Sequence, residues 1–119
     1  MKLYDQQHIQ DFYNTYAEQE TLRWEKSIVE QVKLAVHRHH LCNNLVKGDR
    51  ILELGAGTGM FTQTLVKYSD DIIVTDLSPV QLELNQQRAQ KEQYYGSVKE
   101  WRVTDICDLT DWDDGSFDK

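Results

Sequence analysis

Asp49-Arg50-Ile51-Leu52-Glu53-Leu54-Gly55-Ala56-Gly57-Thr58-Gly59-Met60 joins a short apolar run directly to a glycine loop. Ile51, Leu52 and Leu54 form the kind of run that lies in the middle of a parallel sheet, covered on both faces. Three of the chain's six glycines, Gly55, Gly57 and Gly59, fall within five residues. Such a loop lets the backbone turn sharply and approach a ligand where a Cβ would obstruct it. Beyond it, Met60, Phe61, Leu65 and Val66 recur at helical spacing, with Thr58 as the predicted N-cap. Strand, glycine loop and helix in that order predict the ligand entrance of a doubly wound α/β fold.

The spacing of the glycines and the residue before them narrow the ligand. A dinucleotide loop would place its third glycine at Met60, and here it stands at Gly59. A phosphate-cradling loop of the Walker type needs a lysine, and this loop has none. Glu53 repels a pyrophosphate and favours a cation. With those residues read, Glu53-Leu54-Gly55-Ala56-Gly57-Thr58-Gly59 resembles the first motif of the class I S-adenosylmethionine-dependent methyltransferases, whose fold is Rossmann-like. S-adenosyl-L-methionine carries a sulfonium and an ammonium and no phosphate, so charge and resemblance agree. The resemblance implies that Gly55, Ala56, Gly57, Thr58 and Gly59 hold the methionine portion by their backbone, with Glu53 near its ammonium.

Downstream, Ser69-Asp70-Asp71 turns the chain into Ile72-Ile73-Val74-Thr75-Asp76, a second predicted buried strand. Asp76 follows Gly55 by twenty-one residues, the spacing at which a βαβ unit presents an acid able to accept both hydrogen bonds of a ribose diol. A turn or capping aspartate is the alternative. Ser78 as N-cap, Pro79 at the first helical position and Gln81 closing a capping box start the next helix. It is expected to run to about Gln93, with Val80, Leu82, Leu84 and Ala89 inward. Tyr94-Tyr95-Gly96-Ser97 breaks it, and a third strand is expected over Lys99 to Thr104, nearer a sheet edge. By resemblance, Leu77 packs beside an adenine, Asp105 accepts its amino group and Ile106 covers the ring; a turn aspartate is again the alternative for Asp105.

Upstream, Ile9, Phe12, Tyr13, Tyr16 and Ala17 form one stripe of a helix from His8 to about Glu20. A second helix is expected from about Trp24 to Leu41, with Ile28, Val32, Ala35, Val36 and His39 on its apolar side. In the resembled family such leading helices fold over the cofactor, so residues 1–45 read as a helical lid and 49–119 as a cofactor-binding βαβαβ unit. Tyr13 and Tyr16 then meet the sulfonium by cation–π contact, worth about 0.5–2 kcal/mol, unless the stripe is only helix-packing core. Arg23, the one basic residue between the helices, reads as a solvated arginine, with a carboxylate contact as the alternative. His37-Arg38-His39-His40 reads as helix C-terminal structure rather than a metal site.

Charge is uneven: residues 1–50 balance, whereas 51–119 hold six Lys/Arg against thirteen Asp/Glu, giving the whole chain its net −7. Without a basic stripe, nucleic-acid binding is disfavoured. Cys42 and Cys107 lack Cys-x-x-Cys spacing and read as reduced thiols. With no signal-peptide core and no apolar run of spanning length, a cytoplasmic protein away from membranes is expected. The acidic tail from Cys107 to Lys119 lacks calcium-loop spacing and reads as solvated loop, no metal being expected.

Asp114-Gly115-Ser116-Phe117-Asp118 resembles the family's lead-in to a fourth strand, so residues 1–119 read as one domain incomplete at its C-terminus. The implied strand order leaves the first strand as an exposed edge, and a homodimer through it is expected. The function read is methyl transfer from S-adenosyl-L-methionine to a small-molecule acceptor, with no catalytic base assigned. A non-catalytic cofactor-binding module is the alternative, and an NAD-dependent oxidoreductase a more distant one.

Overall fold

The computed structural model describes residues 4–119, apart from the side chains at 20 and 21, so the first three residues of the expected lid lie outside the described residues. Two long helices come first, α1 (Gln6–Arg23) and α2 (Ile28–Asn44), capped by Asp5 and Ser27, whose side chains accept from His8 N and Glu30 N. A βαβαβ run follows: β1 (Ile51–Glu53), α3 (Thr62–Leu65), β2 (Ile72–Asp76), α4 (Pro79–Lys91) and β3 (Glu100–Val103). The three strands form one parallel sheet in the order β1-β2-β3, with Ile51 opposite Ile72 and Ile73 opposite Glu100. This is the expected Rossmann-like half-sheet.

The core lies where the strand pattern put it. Ile51, Leu65, Ile72, Val74, Leu82 and Val98 are buried together, with Leu41, Leu45 and Trp101 packed against them. β2 is central and carries two side chains with no exposure, Ile72 and Val74. α1 docks on the start of α4 through polar groups: Gln10 Nε2 donates to Leu77 O at 2.9 Å, Gln81 Nε2 to Tyr13 O at 3.3 Å, and Ser78 Oγ to Asn14.

Five local expectations are corrected. Thr58 does not start the helix after the loop: α3 begins at Thr62, behind Phe61, which caps without a side-chain bond, because the glycine turns use the intervening residues. The stripe assigned to the inside of α2 faces out, with Ile28 78%, Val32 55% and Val36 48% exposed. Leu41 and Leu45 make the core contact instead, so the helix is rotated from the orientation its apolar residues suggested. In α4, Val80 is exposed while Gln81 and Asn85 are buried, since this helix packs on polar backbone of the loop and of α1. The capping box at Ser78 is half made: Ser78 Oγ accepts from Gln81 N at 3.2 Å, but Asp76 takes Ser78 N at 2.8 Å and the Gln81 amide goes to α1. Finally, the outer side of β1 is partly paired. Asp118 N donates to Arg50 O at 2.8 Å and Leu52 N to Lys119 O at 3.1 Å, a parallel pattern.

Candidate functional site

The glycine loop is fastened on both sides. Ala56 N donates to Thr75 O at 2.9 Å, and Thr75 Oγ1 returns to Glu53 O at 2.7 Å. Gly57 N donates to Asp76 Oδ2 at 2.8 Å, while Asp76 Oδ1 accepts from Ser78 N. Asp76 therefore does serve as a turn carboxylate, and it also lines a cavity; a carboxylate has four lone-pair positions, so two bonds leave capacity for a diol. Gly57 and Gly59 need their glycines, at φ 59° and 99°. At Gly59 an added Cβ would also meet the Asn85 amide at 3.2 Å.

Three openings meet at Gly55. One, of about 250 Å³, is walled by Asp76, Leu77, Asp105, Ile106, Thr104, Gln81, Ile9, Tyr13 and Tyr4. The second, of about 190 Å³, lies over the loop between Arg23, Trp24, His37, Phe61 and residues 55–58. The third, of about 380 Å³, runs between α2 and β1 and takes in Glu53, His37, Leu41 and Lys119. The expected residues thus fall into two groups on either side of one glycine, those from the second and third strand ends in the first opening and the loop residues in the other two. Gly59 is buried against α4, and Tyr16 stacks on Phe12 at 5.6 Å without lining any of the three openings.

Electrostatics differ between the two ends. Burial pushes the Glu53 carboxyl up to about 7; the Thr62 hydroxyl, which donates to it, opposes this, and the charge of Asp76 adds to it. Asp105 moves the other way, held below the usual carboxylate range by the Tyr4 phenol and by Cys107 N at 2.9 Å. The same contact raises the Tyr4 phenol to about 12.

Sequence reasoning passed over several residues. Gln81 and Thr104 line the first opening, and their buried side-chain oxygens have no partner in the protein. Gln81 was read only as a cap, and Thr104 only as the end of a strand. Arg23, read as solvated with a carboxylate contact as the alternative, stands over Trp24 at 4.4 Å; its side chain is 44% exposed, and its Nε, buried without a hydrogen bond, lies 4.0 Å from Glu30 Oε2. His37 stacks on Phe61 at 5.9 Å beside the loop, and Arg38 reaches Met60 O at 3.4 Å. Arg23, His37 and Arg38 lie at i, i+14 and i+15 in the sequence, too far apart for local spacing to link them, and only the fold brings α2 to the loop. Among the described residues no three His, Cys, Asp or Glu side chains gather as metal ligands, and no helix is long and apolar enough to cross a membrane.

No curated protein matches the chain closely. Solved structures share its fold. Phosphoethanolamine N-methyltransferase 1 of Haemonchus contortus, in complex with phosphoethanolamine and S-adenosylhomocysteine, is 21% identical with TM-score 0.65, over 87% of this chain and 22% of that one. Magnesium protoporphyrin IX methyltransferase of Synechocystis PCC 6803 with bound SAM is 18% identical with TM-score 0.68, over 91% and 58%. The [4+2]-cyclase SpnF is 14% identical with TM-score 0.74, over 89% and 44%. The chain spans less than two thirds of each of these proteins. A methyltransferase-domain family model matches residues 52–119, from the first strand through the loop and both following strands, more than half of the chain. The chain therefore belongs to the methyltransferase domain family.

Proposed function

We propose that the openings around Gly55 hold S-adenosyl-L-methionine in extended form, and that the protein transfers its methyl group to a small-molecule acceptor. The observation that carries the reading is the split arrangement: acids suited to a nucleoside on one side of Gly55, and on the other the partly exposed guanidinium of Arg23, 4.0 Å from Glu30 and without a hydrogen bond at Nε, with aromatic rings and Glu53. The residues fit such a ligand chemically. Asp76 offers acceptors to a ribose diol, Asp105 to an amino group, and Leu77 and Ile106 apolar surface to a base. Arg23 matches a carboxylate and Glu53 an ammonium, opposite charges at the two ends of one amino-acid group. Tyr13 borders the nucleoside opening and so is the tyrosine within reach of a cationic ligand there, whereas Tyr16, stacked on Phe12, lines none of the three openings.

When bound, this cofactor supplies an electrophilic methyl on a sulfonium, open to in-line attack. The protein's own contribution is alignment, which the doubly fastened loop gives by fixing backbone at Ala56 and Gly57. Both the phosphoethanolamine and the protoporphyrin enzymes that share this fold act on small molecules, and the excess acid of residues 51–119 opposes nucleic acid as acceptor. The two free thiols, Cys42 and Cys107, suit a reducing cytoplasm.

Calorimetric titration with S-adenosylhomocysteine tests the reading. Binding by the parent chain and at least a tenfold loss in Asp76→Ala are expected; unchanged binding in the variant would remove the ribose assignment. A second reading, a cofactor-binding protein that transfers no methyl group, draws on the cyclase that shares the fold, since fold does not fix chemistry. Binding without transfer of labelled methyl to any amine, hydroxyl or carboxyl probe would favour it, and saturable NADH binding would favour an oxidoreductase.

A further inference from the structure

Asn85, on α4, has no exposed surface and uses its whole amide. Trp101 Nε1, on β3, donates to Asn85 Oδ1 at 3.0 Å. Asn85 Nδ2 donates to Gly57 O and to Thr62 Oγ1, both at 3.2 Å. An indole N–H can only donate, so Trp101 fixes which end of the amide is oxygen. Both amide hydrogens then point at Gly57 and Thr62. The Thr62 hydroxyl oxygen is left as an acceptor from Asn85, and its single hydrogen goes to Glu53. Donor direction is thus set from β3 through α4 and α3 to the carboxyl at the end of β1.

We propose that Asn85 is a positioning residue of the glycine-loop site: it commits Thr62 to donate to Glu53, pins the loop at Gly57, and so sets the charge the loop offers a cationic ligand. The ligand half of this rests on the cofactor reading above. A hydrogen bond given to an ionised carboxylate favours the ionised form. Here it opposes the burial that raises Glu53. The other titratable or charged groups facing Glu53 are Asp76 from β2, Tyr94 after α4, and His37 of α2 with Lys119 across the opening. Asp76 and Tyr94 disfavour or leave unaided the charged carboxylate, so the Thr62 donor is the contact that holds its charge within reach of neutral pH. Without that donor Glu53 titrates at higher pH, and less of it is charged at neutrality.

The test follows the Glu53 carboxyl by carbon-13 NMR across pH in the full chain, assigned with Glu53→Gln. Asn85→Asp places at position 85 a group that only accepts, which draws the Thr62 hydrogen away from Glu53. The Glu53 midpoint is expected to rise by about one unit or more. Part of that rise is like-charge repulsion, so the substitution is repeated in a Thr62→Val chain, where the shift is expected to fall below half. Equal shifts in the two backgrounds overturn the inference. Should the charged variant not fold, Asn85→Ala in the same two backgrounds decides the matter. Its Thr62 hydroxyl is free to turn to a backbone carbonyl, so a rise of a few tenths is expected with Thr62 present and none with Val; no rise in either overturns the inference. Calorimetry with S-adenosylhomocysteine on the same chains reads the ligand half, the affinity-versus-pH profile moving with the carboxyl midpoint. A moved midpoint with an unmoved profile refutes the cofactor reading while the donor chain stands.

Discussion

At the scale of single residues, Glu53 is the group on which, under the proposed cofactor reading, folding and binding pull in opposite directions. Its carboxyl titrates near 4.5 when solvated and near 7 in the fold. A carboxyl whose folded value is raised costs stability once ionised, so the chain loses stability as pH climbs through that window and keeps it below. Glu53→Gln stays neutral. It should therefore gain roughly 1–3 kcal/mol over the parent at pH 8 and almost nothing at pH 4, as read by urea unfolding at both pH values. The same variant should bind S-adenosylhomocysteine more weakly and with a flatter pH profile. A residue kept against its folding cost is the expected mark of a ligand site. Asp76 differs, because its two backbone partners, Gly57 and Ser78, support both loop and helix. Asp76→Asn retains one acceptor and should keep the fold while losing less affinity than Asp76→Ala.

At the scale of elements, the two leading helices have unequal claims on the core. α1 is tied to α4 by side chains of Gln10, Asn14 and Gln81, whereas α2 presents Ile28, Val29, Val32 and Val36 to solvent. Val32→Glu should change unfolding stability by less than about 0.5 kcal/mol, as for an ordinary surface site. By contrast Ile72, fully buried in the core at the start of β2, should cost about 2–5 kcal/mol on truncation to Ala, because the lost side chain leaves a cavity among its packed neighbours. Both are readable from denaturant midpoints. A large effect at Val32 would mean that its face is covered in solution.

At the scale of the molecule, the outer edge of β1 sets the question of association. The backbone of Asp118 and Lys119 takes two steps of parallel pairing beside Arg50 and Leu52, and Arg50 clamps Asp118 at 3.1 Å, holding its carboxyl down at about 2. The strand is therefore guarded only at its start, while the opening toward α2 is lined by Leu41, Leu45, Ile51 and Leu65. Sedimentation of this chain should show association rising with concentration, through that edge and groove. A single monomeric species over a hundredfold concentration range would contradict it.

Sequence alone determined the parallel half-sheet, the glycine loop and the acids at the ends of β2 and β3, because each is written in local order: apolar runs of strand length, glycines at fixed spacing, an aspartate where a strand stops. The Ser78-Pro79 helix start was legible for the same reason. What only tertiary structure decided is which face of each helix turns inward. The α2 stripe looked like core by periodicity, yet periodicity gives a face and not its partner. Burial of Gln81 and Asn85 in α4 was likewise hidden, since it depends on groups distant in sequence: Tyr13 O accepts from the Gln81 amide nitrogen, and Gly57, Thr62 and Trp101 together complete the Asn85 amide. The bringing of Arg23 and His37 to the loop belongs to the same class, long-range contacts that no local spacing encodes.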